Sequence, residues 1–178
     1  VAALIVPEGM YVVRAAATPA SSAPENAEIG VEIDLTPPNV LIVSPVNGAA
    51  VPGAFDLVGT VEDAHLARYL SMVYKHGDPA NMSPVSSGNA PVNNESLGVV
   101  SAGEFDGMID VRVDAFDAAG NPSRATHTYT VDADPPTIRL TSPVPGTTVS
   151  GPVPILGTVY DPHFSHFIVD YSADASAA

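Results

Sequence analysis

Asp34-Leu35-Thr36-Pro37-Pro38 returns 98 residues later as Asp132-Ala133-Asp134-Pro135-Pro136, and the surrounding sequence returns with it. Downstream, Ser44-Pro45-Val46-Asn47-Gly48, Gly59-Thr60-Val61, Asp63 and His65 have counterparts in Ser142-Pro143-Val144-Pro145-Gly146, Gly157-Thr158-Val159, Asp161 and His163. Upstream, Gly9-Met10, Val13-Arg14 and Ala17 fall on Gly107-Met108, Val111-Arg112 and Ala115. A fixed period of this kind decides what one structural unit is, so it precedes any reading of individual strands. It divides the chain into the end of a first unit (1–35), a complete unit (36–134) and the opening of a third (135–178). On that division the sequence reads as a window on a longer polypeptide.

The 18 prolines and 14 glycines are spread among valine-rich runs, which suits short strands joined by many turns rather than helices. A formal charge of −14, with only six lysines and arginines, argues against nucleic acid, whose phosphates need basic partners. The same charge argues against an anionic membrane surface. It does suit a soluble, self-repelling surface or one that holds divalent cations. With no cysteine there is no disulfide framework and no thiolate metal site. Val1 to Val6 is apolar but lacks a basic leader, so it reads as a strand end rather than a signal peptide. No apolar run reaches the roughly 18 residues of a membrane helix.

Period-two alternation marks the strands. Tyr11, Val13, Ala15 and Ala17 share one face of a strand expected to bury a side, and Ile29, Val31 and Ile33 line the closing strand of the first unit. In the complete unit Val40 to Val43 begins the sandwich, with a turn at Asn47-Gly48. Phe55, Leu57, Gly59 and Val61 form the inward face of a second strand, matched by Val153, Ile155, Gly157 and Val159. Glycines inside strands mark bulges or close backbone approaches, which singles out Gly59 and Gly157. A third strand is expected over Leu66 to Tyr74, and its counterpart over Phe164 to Tyr171. Residues 75–96, rich in Gly, Pro, Ser and Asn, read as a long loop with at most one short edge strand, followed by a weak strand at Leu97 to Ser101 and an acidic turn at Glu104 to Gly107. Ile109, Val111, Val113 and Ala115 then face inward against His127, Tyr129 and Val131. Seven short strands with no helical period imply an antiparallel two-sheet sandwich.

Several strings resemble the bacterial immunoglobulin-like repeats found in tandem in large surface adhesins and upstream of RHS-type toxin shells. They are Ser-Pro-x-x-Gly, Gly-Thr-Val-x-Asp, Pro91-Val92-Asn93-Asn94 before Leu97-Gly98, Asp-x-Ala-Gly-Asn and the closing Val-Asp-x-x-Pro-Pro. The resemblance covers nearly the whole chain and implies an all-β fold of tandem antiparallel immunoglobulin-like β-sandwiches. It implies a structural role at the bacterial cell surface or outside the cell. Tyr11 matches the tyrosine that usually opens the penultimate strand of that family, whereas Ile109 departs from it.

In such a sandwich the incoming linker, the loop after the second strand and the loop between the last two strands meet at one pole. That places Asp34, Asp63 and Asp117 together, and Asp132, Asp134 and Asp161 at the next joint. Converging oxygen ligands suit calcium, which takes roughly six to eight of them, and adhesin repeats that resemble this chain often hold calcium between modules. The competing reading is that these aspartates cap turns through their own side chains. His65, His163 and His166 read as solvated loop histidines, because zinc needs three or four ligands in fixed geometry. His127 reads as a packing residue at the sandwich end, and His76 belongs to the long loop.

No Gly-x-Ser-x-Gly elbow, recurring serine–histidine pairing or phosphate-binding glycine loop points to an enzyme. Carbohydrate binding is the fairer rival, although it favours exposed rings and the chain has no tryptophan. Tyr74 and Tyr160 are the aromatic residues worth following. The sequence therefore points to a spacer or stalk whose partners are neighbouring repeats of the same polypeptide. The alternatives are a module that binds host or surface protein or glycan through 75–96, and a wall element of a toxin shell or extracellular filament.

Overall fold

The computed structural model of the protein describes residues 6–21, 23–105 and 107–172. The apolar opening at 1–5 and Asp106 of the acidic turn lie outside the described residues. Secondary structure among them is all β, without a helix, so no helix is long and apolar enough to cross a membrane. The chain falls into two compact units, Val1–Val131 and Asp132–Ala178.

Unit 1 opens with an antiparallel hairpin, β1 (Gly9–Ala17) and β2 (Glu25–Ile33), which forms a sheet of its own. Eight further strands follow: β3 (Asn39–Ser44), β4 (Ala50–Val51), β5 (Ala54–Glu62), β6 (Leu66–Lys75), β7 (Ser83–Gly88), β8 (Val92–Ser101), β9 (Gly107–Asp117) and β10 (Pro122–Val131). They make a three-stranded sheet, β3-β5-β8, and a five-stranded sheet, β4-β10-β9-β6-β7. One apolar core is shared between the two, and the alternation in the sequence explains it. Phe55, Leu57 and Val61 from β5 meet Ile109, Val111, Val113 and Ala115 from β9 and Tyr129 from β10. Every second residue of a strand points the same way, so these strands commit one whole face to the interior. The Phe55 and Tyr129 rings meet edge to face with centroids 5.3 Å apart.

Unit 2 contains β11 (Thr137–Ser142) paired with β12 (Leu156–Tyr160). The register Thr137↔Tyr160 through Ser142↔Leu156 reproduces Asn39↔Glu62 through Ser44↔Val58 at an offset of 98 residues, including the irregularity after the fourth pair. The hairpin β1–β2 reproduces β9–β10 in the same way, with Gly9↔Ile33 answering Gly107↔Val131. The Ser44–Pro45 and Ser142–Pro143 peptide bonds are both cis.

Gly59 and Gly157 are close-approach positions. A Cβ on Gly59 would strike the Leu41 carbonyl oxygen and the Leu97 side chain, and one on Gly157 would strike the Arg139 carbonyl oxygen. Gly48 and Gly146 follow their strands with φ of 84° and 80°, a turn conformation that glycine adopts without penalty.

Four details depart from the sequence reading. Within 75–96 the short edge strand is β7, paired along β6, but β8 begins at Val92 rather than at Leu97, so what is left irregular is 76–82 and 89–91. The polar side chains there hide the strand signal, since both strands lie at sheet edges where only alternate residues need be apolar. The short β4 joins β10 in parallel, an exception to the antiparallel rule. The faces of β1–β2 and of the segment entering β12 that alternate as if buried are largely exposed, with Val13 and Ile29 more than half accessible and Ile155, just before β12, at 50%. Finally, Phe164 to Tyr171 forms no strand, although its counterpart β6 does. In β6 the backbone is paired on both sides, by β7 and β9; a backbone without such neighbours has no ladder to join.

Candidate functional site

The joint at Asp34 gathers side chains from four segments of unit 1. The turn after β5 begins with Asp63, whose Oδ1 accepts the His65 backbone N–H at 2.7 Å. Such a turn directs the imidazole back across the linker. There His65 Nδ1 lies 3.2 Å from Asp34 Oδ2, and Nε2 lies 3.5 Å from Glu32 on β2. Asp34 Oδ1 in turn accepts the Thr36 N–H at 3.1 Å, and the Thr36 hydroxyl donates to Glu8 at 2.7 Å.

The β9–β10 turn closes the same joint. Asp117 accepts the Asn121 backbone N–H and side-chain N–H, both at 2.7 Å, which leaves the second amide N–H to donate to the Asp34 carbonyl at 3.0 Å. Desolvation alone would raise the Asp117 pKa. The Asn121 side chain and the amides of Asn121, Gly120 and Ala119 outweigh it and hold the carboxyl below its ordinary value. The Ala118 N–H donates to the His65 carbonyl at 2.8 Å, tying this turn to the one after β5. An open cleft of about 600 Å³ lies beside these groups, lined by Glu8, Glu32, Asp34, Glu62, Asp63 and His65 among others.

Unit 2 carries the same local arrangement. Asp161 Oδ1 accepts the His163 N–H at 2.7 Å, and His163 Nδ1 lies 3.1 Å from Asp132 Oδ2. Of the sequence candidates, then, the structure brings together Asp34 with Asp63, and Asp132 with Asp161. It adds His65 and His163, so that each trio offers ligand atoms within 4.8 Å of one another. Asp117 instead caps its own turn, and Asp134 is exposed and belongs to neither trio. Two carboxylates and one imidazole nitrogen fall short of the roughly six to eight oxygens that calcium takes. Both carboxylates already accept a hydrogen bond from the histidine. As folded, each trio is a clasp that fastens a linker to a turn further along the chain, after β5 in unit 1 and after β12 in unit 2.

The histidines are the functional residues that the sequence reading passed over as solvated. The available signal is that His65 repeats as His163 at a fixed distance from both aspartates, which a merely solvated side chain does not require. A second group lies on the outward face of β9. Asp110 accepts hydrogen bonds from Thr128 at 2.7 Å and lies 2.9 Å from His76 Nδ1, while Asp114 is bridged by Arg124 at 2.6 Å and Arg112 at 2.7 Å. Burial pushes the Asp110 carboxyl up, but its bonds to His76 and Thr128 and the histidine's charge hold it below the usual carboxylate range. His76, read from sequence as part of a featureless loop, therefore anchors the β6–β7 turn. His127 packs edge to face on Tyr129, whose hydroxyl donates to the Pro45 carbonyl at 2.9 Å. In the hairpin, Tyr11 likewise donates to the Pro7 carbonyl at 2.8 Å. Of the two rings singled out for sugar stacking, Tyr74 is buried and Tyr160 is 70% exposed.

No family model matches the chain. No curated protein matches it. Among solved structures it is similar to an engineered protein from a structural genomics consortium, at 18% identity and a TM-score of 0.39 over 53% of this chain. The chain covers 20% of that protein's length.

Proposed function

We propose that the chain is a stretch of a spacer or stalk, built of tandem immunoglobulin-like β-sandwiches, in a large secreted or surface-attached bacterial protein such as an adhesin. The reading divides it into the end of one repeat (1–35), a complete repeat (36–134) and the start of another (135–178). Its support is the recurrence, 98 residues apart, of the same strand register together with the same Asp–Asp–His clasp. Each repeat buries its own core, and the clasp with the double proline stiffens the crossing between repeats, since proline restricts both itself and the residue before it. The acidic surface keeps neighbouring stalks apart. The partners are then adjoining repeats of the same polypeptide, and no chemistry is performed.

Chains carrying two, three and four copies of residues 36–134 test this. In small-angle X-ray scattering their maximum dimension grows by equal steps per copy if the repeats form a stalk. A dimension that grows only as the cube root of mass overturns the reading. Glycan-array binding that depends on residues 76–91 would instead favour a recognition module.

One observation favours a second role for the joints, the convergence of the same three groups at both of them. In that reading a divalent cation such as calcium is held by Asp34 and Asp63, and by Asp132 and Asp161, with water completing its shell. A melting temperature that is the same in millimolar calcium and in chelator leaves the joints as hydrogen-bonded clasps only.

A further inference from the structure

Asp78, Asp134 and Asp161 are each followed by proline. Such a peptide bond is open to attack from within, because the side-chain carboxyl can close a five-membered ring on its own carbonyl carbon. Proline's nitrogen belongs to a tertiary amide and departs readily once it takes a proton.

The three bonds are held differently. Asp78-Pro79-Ala80-Asn81, between β6 and β7, has Asp at the first place of a turn and Pro at the second, the residues such a turn favours, and the Asn81 main-chain N–H donates to the Asp78 carbonyl at 3.3 Å. The Asn81 side-chain amide donates to Asp78 Oδ2 at 2.8 Å. One residue therefore grips both the carboxyl and the carbonyl on which it would close. At Asp161 the carboxyl is drawn forward instead, with Oδ1 accepting the His163 N–H at 2.7 Å, and no main-chain N–H among the described residues donates to the Asp161 carbonyl. Asp134 has neither bond among the described residues.

We propose that the Asp78–Pro79 bond is a self-cleavage site, with Asp78 as the nucleophile and Asn81 as the residue that positions it. Asp78 Oδ1 adds to the Asp78 carbonyl carbon, the bond from that carbon to the Pro79 nitrogen breaks, and the carboxyl's proton ends on the nitrogen. One product ends in a cyclic anhydride at residue 78, which a single water opens to two carboxyls. The other begins with Pro79 and its secondary amine. The Asn81 main-chain N–H lies where negative charge gathers on the carbonyl oxygen, and the amide grip keeps the carboxyl beside its target. The charged neighbours in the turn are Lys75, whose carbonyl accepts the Asp78 N–H at 2.9 Å, and His76, which is engaged by Asp110 at 2.9 Å. No cation among the described residues forms an ion pair with Asp78, so its proton comes from solvent and the break is favoured by mild acid.

The position of the turn decides what a break does. On the strand before it β6 pairs with both β7 and β9, so the two fragments share one sheet. Cleavage then interrupts the chain without emptying the core. This goes beyond the stalk reading, which involves no chemistry, and does not depend on it.

Intact-mass spectrometry of the full chain, held folded at about pH 5 and then denatured, tests the proposal. Fragments 1–78 and 79–178 are expected to accumulate at least about tenfold ahead of those from the other two bonds, with masses that sum to the 18.2 kDa chain plus one water. An unchanged near-ultraviolet spectrum of the core tyrosines verifies that unit 1 stays folded meanwhile. In concentrated urea at the same pH the turn is gone, and the three bonds should break at similar rates. D78A should yield no 78–79 product. N81A keeps the main-chain N–H, and it should slow the 78–79 break at least about threefold when folded, leave the other two bonds alone and match the parent in urea. Equal rates at the three bonds of the folded chain overturn the proposal. So does a preference for 78–79 that survives in urea, or a folded N81A chain that breaks at the parent's rate.

Discussion

Strands β3 and β5 pair in the same register as β11 and β12, 98 residues further on, and both pairs bend around a glycine that admits no Cβ. Their environments nevertheless differ. Leu57 on β5 is fully buried under β9 and β10, while Ile155 in the corresponding place is half exposed. The difference separates two contributions that are usually inseparable. Turn chemistry, strand pairing and the aspartate–histidine clasp are local and form in both places, whereas burial needs a facing sheet and, among the described residues, is found in unit 1.

Substitutions at equivalent positions sharpen that comparison. Leu57→Ala should destabilise unit 1 by about 2–5 kcal/mol in urea unfolding, the usual cost of emptying a packed leucine site. Ile155→Ala at low protein concentration should cost within about 0.5 kcal/mol, as for an exposed position. Equal losses would mean that Ile155 is buried in solution. Gly59→Ala should cost about 1–3 kcal/mol by overpacking, because the added methyl meets backbone on one side and the Leu97 side chain on the other. Gly157→Ala meets the Arg139 carbonyl but has Leu140 as its nearest side chain, at 3.2 Å, so the smaller loss belongs there.

Titration probes the core of unit 1. Burial pushes the Tyr129 phenol up to about 12. A folded-state value above the unfolded one, about 10, means that this contribution is whole below pH 10 and is lost as pH rises towards 12. Absorbance at the phenolate wavelength should therefore show one tyrosine ionising last and together with unfolding. Replacing Tyr129 by Phe should remove that step. At the acid end the sign reverses. Asp110 is held below its ordinary value, so its contribution is present above about pH 4 and lost as pH falls through the depressed folded value. D110N should flatten the acid limb of the stability curve. Small effects belong to the clasps. His65→Ala and His163→Ala should each cost about 0.2–1 kcal/mol, since both imidazoles are near half exposed. Similar values for the two would confirm that a clasp owes nothing to the core beneath it, and a loss at His65 several times larger would break the comparison.

The recurrence of strand register at 98 residues was legible in the sequence because its carriers are residues with special backbone roles. Prolines, glycines and turn-capping aspartates keep their identity when packing partners change, which is how Gly59 and Gly157 could be singled out. The inward face of β9 was legible for a different reason, its unbroken alternation of Ile109, Val111, Val113 and Ala115. Edge strands β7 and β8 were legible only in part, as an unplaced edge strand within 75–96 and as Leu97 to Ser101, because Ser83, Ser86, Asn93 and Glu95 satisfy a ladder without needing a buried side. At the joints the aspartates could be picked out but not their orientation. Whether Asp117 faces Asp34 or its own turn depends on Asn121, whose amide bonds to both segments at once. His65 was missed since nothing in a single loop reveals that a turn will aim its ring at the preceding linker.

Asn121 also bears on how such a molecule ages. Asparagine side chains deamidate when the next residue's backbone nitrogen attacks them, and the residue after Asn121 is Pro122, which has no N–H to do so. Asn47 is followed by Gly48 in an exposed turn, where that attack is least hindered, and its Oδ1 accepts the Thr128 N–H at 2.8 Å. Such wear should therefore reach the Thr128 end of β10 first and spare the turn that Asn121 fastens to Asp34.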